Sequence, residues 1–295
     1  MQRVESEIAR LIKEIDYDEV TRLFEMLSGG KRLRAKLILK IAPSHEKAPL
    51  LAAIVELIHG ASLLHDDVID EALLRRGVPS VNATEGSKTA VMLGDILYSK
   101  AFTELVEFDK DIAKAVASSV TALSKGEMQD VKMAENFNSD EQTYLDMLYL
   151  KTATLIEAAA VASALLSGKD ALNYGIYGRN LGLSFQIIDD ILDITSDEAT
   201  LGKPAMNDFV EGKCTLPYIY LYEALDEKDK KRLVDAHAKK IDKEESAWIK
   251  SKMQEHKSIE KSFNLAKVLS DEASKAVEGD TELIQILQSM IQRSY

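Results

Sequence analysis

Two groups of aspartates in the chain share the spacing Asp-Asp-x-x-Asp. They are Asp66, Asp67 and Asp70, and Asp189, Asp190 and Asp193. On an α-helix, positions i, i+1 and i+4 lie within an arc of about 100°, so the three carboxylates of each group lean to one side. Carboxylate oxygens with no cysteine and little histidine beside them suit Mg²⁺ or Mn²⁺ rather than Zn²⁺. The spacing therefore predicts two sites for divalent metal ions.

Apolar residues precede both aspartate groups, with Leu63 and Leu64 before the first and Ile187 and Ile188 before the second. Like charges in such surroundings are unfavourable unless a cation lies beside them. Mg²⁺ takes one or two protein carboxylates and completes its shell with water and phosphate oxygens. The two groups together predict a clamp on a phosphorylated ligand. A single group in an acidic protein would instead be typical of a solvated helix face.

Cationic residues occur in short groups beside glycines and beside the aspartates. Gly30, Lys31 and Arg34 lie where one predicted helix ends and the next begins, and free backbone N–H groups at a helix start favour anions. The other cations placed in this way are Arg75, Arg76, Lys151, Lys203 and Lys213. This placement is what an acidic protein that binds phosphates needs.

The composition excludes several classes of protein. The 37 Lys and Arg against 49 Asp and Glu give a net charge of -12, which argues against a nucleic-acid binder and against a polybasic membrane anchor. The single cysteine, Cys214, cannot form an internal disulfide, so a cytoplasmic location is expected. Charges interrupt the first 15 residues, and we expect neither a signal peptide nor a membrane span.

Apolar residues recur every three to four positions along nearly the whole chain, and only 14 Gly and 5 Pro interrupt 295 residues. The pattern predicts an all-α protein. The predicted helices are 3–15, 17–27, 31–42, 48–71, 87–107, 110–135, 139–167, 170–197, 215–224, 227–239, 243–256, 258–277 and 280–293. Two long breaks, 72–86 and 198–214, carry Gly, Pro and cations and are interpreted as binding loops. The mixed charges of 226–262 indicate solvated outer helices.

At these motifs the chain resembles the trans-type polyprenyl diphosphate synthases. The matching stretches are GGKRLRAKL at 29–37, ELIHGASLLHDDVID at 56–70, RRGVPSVN at 75–82, LKTATL at 150–155, FQIIDDILD at 185–193 and GKPAMNDFVEGKCTLP at 202–217. The resemblance implies a single all-helical domain over residues 1–295, built around a deep central cavity, and a homodimer. It also implies head-to-tail condensation: an allylic diphosphate ionises, isopentenyl diphosphate attacks the carbocation, and a proton is lost.

The resemblance also assigns roles to residues of this sequence. Asp66, Asp70 and Asp189 would hold Mg²⁺, and Asp67, Asp190, Asp193 and Asp208 would support them in the inner or outer coordination shell. The allylic diphosphate would be bound by Arg75, Lys151, Thr152, Gln186, Lys203 and Lys213. Isopentenyl diphosphate would be bound by Gly30, Lys31, Arg34, His59 and Arg76. Arg75 and Lys151 would assist catalysis together with the aspartates. His59 could instead be a core histidine, and His65 is interpreted as structural or as supporting a metal ligand.

The resemblance also implies that the growing chain extends along the helix of the first aspartate group, where a residue about one turn before Asp66 can block it. Those positions are Ala61 and Ser62 in this sequence. Both are small, so we expect a hexaprenyl to octaprenyl product for a quinone side chain. Met128 and Met133 are candidates for the floor that stops elongation, although methionine at such positions is as often ordinary core. A shorter product would contradict the argument from the two small residues.

Three other functions remain open at this stage. A terpene cyclase also ionises diphosphates, but it needs no second diphosphate site such as the one predicted around Lys31. A non-catalytic subunit of a heterodimeric synthase usually lacks an aspartate cluster, and this chain has both. A carrier of polyprenyl diphosphates would bind the same ligands without turnover.

Overall fold

The computed structural model describes residues 1–27, 30–75, 77–196 and 206–291. The chain forms two compact units, one of residues 1–121 with 155–178 and the other of residues 122–154 with 179–295. Within the described ranges the regular structure is helical apart from one pair of two-residue strands, which confirms the all-α prediction. The single domain and its deep cavity stay predictions.

The helices follow one another along the chain with short connections. They are α1 Gln2–Lys13, α2 Asp18–Met26, α3 Leu33–Ile41, α4 Ala48–Ile69, α5 Val81–Glu85, α6 Ser87–Leu105, α7 Lys110–Ala134, α8 Glu141–Leu148, α9 Thr154–Leu166, α10 Ala171–Thr195, α11 Asn207–Val210, α12 Leu216–Ala224, α13 Glu227–Ala236, α14 Lys243–Glu255, α15 Ser258–Ala276 and α16 Thr281–Ile291. The longer of them agree with the predicted helices to within a few residues.

Helix α4 is the core of the first unit. It packs against α1, α3 and α6, and its residues from Leu51 to Ile58 are all buried. A helix that is apolar on all sides gains stability only when other helices surround it. Pro49 in the first turn costs no intrahelical hydrogen bond, and the helix ends at Ile69, with Asp70 of the first aspartate group as its C-cap residue.

The predicted loop 72–86 contains two strands and a helix that are too short to show a periodic pattern in the sequence. Leu74–Arg75 (β1) pairs antiparallel with Val78–Pro79 (β2), and Gly77 between them has a φ of +80°. Ser80 then starts α5, since its side chain accepts a hydrogen bond from Ala83 N. A hairpin and a helical turn thus replace most of the expected loop.

The second unit contains a π-helical turn, Tyr149–Ala153, between α8 and α9. The sequence predicts one continuous helix there. Gly126 of α7 packs against the turn so closely that a Cβ atom would lie 2.4 Å from Lys151 N and 2.7 Å from Leu150 C. Such π-turns are rare and occur frequently at functional sites, and this one carries Lys151 and Thr152.

Two helical segments, Ala48–Ile69 and Glu141–Leu166, are long and apolar enough to cross a membrane by length and composition. Inside the protein, 67% and 61% of their most apolar windows are buried. That burial is typical of core helices. The expectation that the chain has no membrane span stays a prediction.

We expect Gly126→Ala to destabilise the protein by about 1–3 kcal/mol, because its methyl group would overlap backbone atoms of the π-turn. Gly60→Ala is the matched control, since a Cβ there meets only side chains, at 3.7 and 3.8 Å, and alanine favours a helix. Thermal unfolding of both variants measures the difference. Equal effects of the two substitutions would contradict the close packing.

Candidate active site

In the first aspartate group, the three carboxylates do not share one environment. Asp67 is buried, Asp66 is half-buried and Asp70 is exposed. Arg75 binds Asp67 from the hairpin: its Nε lies 2.8 Å from each carboxylate oxygen, and its Nη2 lies 2.7 Å from Oδ1. Asp67 is thus paired with an arginine, whereas Asp66 and Asp70 are more accessible. The supporting role of Asp67 in metal binding stays a prediction.

Arg75 is a predicted ligand of the allylic diphosphate, and in the structure its guanidinium contacts Asp67. A guanidinium has five N–H donors, and these contacts use only its Nε and Nη2 nitrogens. Asn82 also fixes this region, because its Nδ2 donates to the Asp67 carbonyl over 3.2 Å. Asp67 thus anchors the hairpin that carries Arg75. Arg76, its neighbour, lies outside the described residues.

His65 packs against α6, as expected for a structural residue. Its Nε2 lies 3.2 Å from the Val91 carbonyl oxygen and 3.5 Å from Asp95 Oδ1, and its ring meets Tyr98 edge to face. A Cβ atom at Gly94 would lie 2.4 Å from the His65 ring. The contact fixes the helix one residue before Asp66.

The predicted isopentenyl diphosphate site contains Gly30, Lys31, Arg34 and His59, all in the first unit. Lys31 is exposed and the other three are half-buried. Arg34 Nε is buried and has no hydrogen-bond partner within the described residues, and burial lowers the pKa of this guanidinium. A buried donor without a partner is costly, so the site fits an anion that would accept from Arg34.

Sequence reasoning missed Glu56, a buried carboxylate on α4. Its Oε1 accepts a hydrogen bond of 3.1 Å from Ala35 N in the first turn of α3, and its Oε2 lies 3.1 Å from Arg32 Nη1. Arg32 has a left-handed backbone conformation with a φ of +49°. Glu56 therefore holds the segment that carries Lys31 and Arg34. The sequence feature that could have indicated Glu56 is its position as a single acidic residue within the apolar run before His59.

In the second unit, a cavity of about 150 Å³ brings several predicted residues together. The predicted residues that line it are Lys151, Thr152, Gln186, Asp189, Asp190, Asp208, Lys213 and Met133, and Cys214 also lines it. Burial raises the pKa of the Cys214 thiol to about 12, so it is not a nucleophile at neutral pH. Lys203 lies outside the described residues.

The central aspartate of the second group is also buried and fixed. Tyr144 Oη donates to Asp190, and Gln186 Nε2 donates to Asp190 Oδ1 over 3.0 Å. Thr152 Oγ1 lies 3.4 Å from Gln186 Oε1, which links the π-turn to the same network. Burial, and then the charges of Asp208 and Asp189, raise the pKa of Asp190 well above its ordinary value. The cavity therefore has excess negative charge that a cation would relieve.

Asp189 is exposed, whereas Asp193 is buried and its Oδ2 accepts a hydrogen bond of 3.2 Å from Asp208 N. Among the described residues, no three acidic, histidine or cysteine side chains converge as a preformed metal site. A hard divalent ion bound by one or two carboxylates and by phosphate oxygens fits this donor set. The residues present therefore fit the predicted Mg²⁺. Among the predicted metal ligands of this unit, Asp189 and Asp208 are more accessible than Asp190 and Asp193.

Lys151 is held by two acids of α7, with its Nζ 2.8 Å from Glu127 Oε2 and 2.6 Å from Asp130 Oδ2. Neither acid was singled out from the sequence, because each is an ordinary charged position of an amphipathic helix. Lys213 Nζ lies 3.0 Å from Glu211 Oε2. Both cations are thus positioned at the cavity beside carboxylates.

The predicted chain-length residues fall in different surroundings. Ala61 is fully buried and Ser62 is half-buried, with its Oγ 2.9 Å from the His59 carbonyl oxygen. Met133 lines the cavity of the second unit, but Met128 is 75% exposed. The roles of Met128 and Met133 in a floor that stops elongation stay predictions.

The chain belongs to the polyprenyl synthetase family, whose profile matches residues 18–256. It is 37% identical over 247 residues to a short chain isoprenyl diphosphate synthase of Methanothermobacter thermautotrophicus, covering 79% of this chain and 76% of that protein. It is 33% identical to an octaprenyl diphosphate synthase of Haemophilus influenzae, covering 94% and 86%. The crystal structure of octaprenyl pyrophosphate synthase from Helicobacter pylori matches with a TM-score of 0.94 and 44% identity, covering 99% and 98%.

Membership of this family makes the chain a prenyltransferase and implies isopentenyl and allylic diphosphates as its substrates. The resemblance stated from the motifs is thereby confirmed. The relatives include both short-chain and octaprenyl enzymes, so family membership leaves the product length open.

Glu56→Gln should raise the KM for isopentenyl diphosphate about tenfold and leave the KM for the allylic substrate unchanged, because it loosens only the segment that carries Lys31 and Arg34. Glu5→Gln is the matched control: Glu5 pairs with the same Arg32 but is 52% exposed, and exposed pairs contribute little. Steady-state kinetics with each substrate varied in turn gives both values. Similar behaviour of the two variants would refute the role of Glu56.

Proposed function

We propose that this chain is a Mg²⁺-dependent trans-polyprenyl diphosphate synthase that adds isopentenyl diphosphate head to tail to farnesyl diphosphate or a longer allylic diphosphate. Its product is a hexaprenyl to octaprenyl diphosphate, and it acts as a cytoplasmic homodimer that supplies quinone side chains. The observation that carries the proposal is the cavity that joins Asp189, Asp190 and Asp208 to Lys151 and Lys213, since it combines metal-binding carboxylates with fixed cations.

Negative charge develops on the leaving diphosphate when the allylic C–O bond breaks. Lys151, Thr152 and Lys213 supply donors that would bind the leaving diphosphate, and preformed donors of this kind stabilise developing charge most. Asp189 and Asp208 would hold Mg²⁺ in this unit, and Asp66 and Asp70 are the proposed metal ligands of the first unit. When bound, the metal would supply positive charge that neutralises a diphosphate. Isopentenyl diphosphate, bound by Lys31, Arg34 and His59, then attacks the carbocation, and a proton is lost.

Ala61 supports a long product. It is fully buried on α4, between the predicted isopentenyl diphosphate ligand His59 and the metal ligand Asp66, and its methyl side chain leaves more room than an aromatic ring would. The octaprenyl relatives named above support the same assignment, whereas the short-chain relative is the alternative.

Purified protein incubated with Mg²⁺, farnesyl diphosphate and labelled isopentenyl diphosphate should give a ladder of products that ends at six to eight isoprene units. Chelation of the metal with EDTA should abolish incorporation, and added Mg²⁺ should restore it. Chromatographic separation of the products by chain length is the measurement. A stop at geranylgeranyl length would contradict the product assignment. Binding of both substrates without incorporation would contradict the enzyme assignment in favour of a carrier or a partner subunit.

Ala61→Phe should shorten the final product, because the ring would fill space that the growing chain requires beside α4. Ser62→Ala is the control, since it removes only a hydroxyl group that bonds to the carbonyl of His59 and leaves the volume small. Product length in the same assay, with thermal unfolding to verify folding, gives the comparison. An unchanged product from a folded Ala61→Phe variant would exclude this position from length control.

A further inference from the structure

The turn Phe209–Gly212 is clamped at both ends by two residues that follow helix α13. His237 Nε2 lies 2.8 Å from the Gly212 carbonyl oxygen, and Ala238 N donates to the Phe209 carbonyl over 3.2 Å. Gly212 N donates to that same carbonyl over 3.1 Å, which closes the turn. Two contacts from one dipeptide therefore fix both ends of a four-residue turn.

The surroundings of His237 leave the turn little freedom. His237 is buried, and the rings of Phe137 and Phe209 meet its imidazole edge to face. Gly212 has a φ of +89°, and a Cβ atom there would lie 2.7 Å from the Ala134 carbonyl oxygen. The turn thus packs against the end of α7 on one side and against His237 on the other.

The residues on either side of this turn are the ones assigned to metal and diphosphate binding. Asp208 precedes it and Lys213 follows it, and Lys213 N donates to the Asp208 carbonyl over 2.8 Å. Both line the cavity of the second unit, together with Lys151 and Asp189. A shift of the turn would move Asp208 and Lys213 together.

We propose that His237 is a positioning residue for allylic diphosphate binding, which acts by donating a hydrogen bond to the Gly212 carbonyl and so fixes Asp208 and Lys213 at the cavity. The inference rests on the proposed function, because it takes the ligand of this cavity to be the allylic diphosphate. It also gives a role to the charged segment after residue 225, which the motifs leave without one.

The hydrogen bond, rather than the imidazole ring as such, is the feature that matters. Loss of the donor would leave the Gly212 carbonyl buried without this partner, and the chain would move to hydrate it. Displacement of a binding group by about 1 Å is costly even when the altered residue lies away from the chemistry. A side chain that still donates should therefore preserve binding, and an apolar one of similar size should not.

The test compares His237→Leu, which removes the donor, with His237→Gln, whose Nε2 can donate to the same carbonyl. His256→Gln is the control for a histidine of the same unit that lies near the surface beside Glu255. Calorimetry with Mg²⁺ and farnesyl thiodiphosphate, which does not ionise readily, measures binding apart from turnover. Hydrogen exchange of the backbone amides at 207–215 reports the turn directly, and KM is determined for each substrate.

The leucine variant should bind farnesyl thiodiphosphate about tenfold more weakly, raise the allylic KM to a similar extent and leave the KM for isopentenyl diphosphate unchanged. Its amides at 207–215 should exchange faster, and the glutamine variant should match the wild type in every measurement. His237→Met replaces the leucine variant if the latter does not fold.

Equal binding by the leucine and glutamine variants, an equal rise in both KM values, or unchanged exchange at 207–215 would overturn the inference. Failure of the proposed function would differ from all of these, because wild-type protein would then give no product, while the binding and exchange measurements would still test His237.

Discussion

The structure depends on the compensation of carboxylates that lie inside helices. A buried carboxylate is unfavourable unless a positive charge or several hydrogen-bond donors lie beside it, and three buried carboxylates of the described residues have such partners. Arg75 meets Asp67, Tyr144 and Gln186 meet Asp190, and Ala35 N with Arg32 meets Glu56. Asp67 is the buried residue of the first group, whereas Asp190 and Asp193 are both buried in the second, and the first aspartate of each group is more accessible. Asp67 and Asp190 are therefore held by other side chains of the protein, and Asp66, Asp70 and Asp189 are the more accessible carboxylates proposed to bind a metal ion.

Similar interactions fix the segments that carry the cations proposed to bind the two diphosphates. Asp67 anchors the hairpin of Arg75, Glu56 anchors the segment of Lys31 and Arg34, and Glu127 with Asp130 orients Lys151 on its π-turn. Close packing at Gly126 and Gly212 removes further freedom, because a side chain at either position would overlap backbone atoms. Preorganised donors stabilise developing charge without having to move. The proposed catalysis therefore depends on the contacts that fix these segments as well as on the cations that the segments carry.

The features that could be predicted from the sequence are those marked by a pattern that repeats over many residues. The apolar period of 3.6 gave the long helices, and the duplicated aspartate spacing gave the metal-binding candidates. Features that depend on a single tertiary contact could not be predicted in this way. The pairing of Asp67 with Arg75 gave no signal in the sequence, and Tyr149–Ala153 was predicted to be ordinary α-helix. Glu56 and His237 were missed for the same reason, since a lone polar residue gives no signal until its partner in the folded chain is known.

The account proposes that Asp66 binds a metal ion and that Asp67 instead pairs with Arg75. Counting the bound metal ions tests this difference most directly. Electron paramagnetic resonance of Mn²⁺ in the presence of farnesyl thiodiphosphate gives that number for the wild type, Asp66→Asn and Asp67→Asn. The account predicts that Asp66→Asn binds fewer Mn²⁺ ions and unfolds at the wild-type temperature, whereas Asp67→Asn retains the ions and unfolds at a lower temperature, because it breaks the contact with Arg75. Loss of Mn²⁺ from a fully stable Asp67→Asn protein would contradict it.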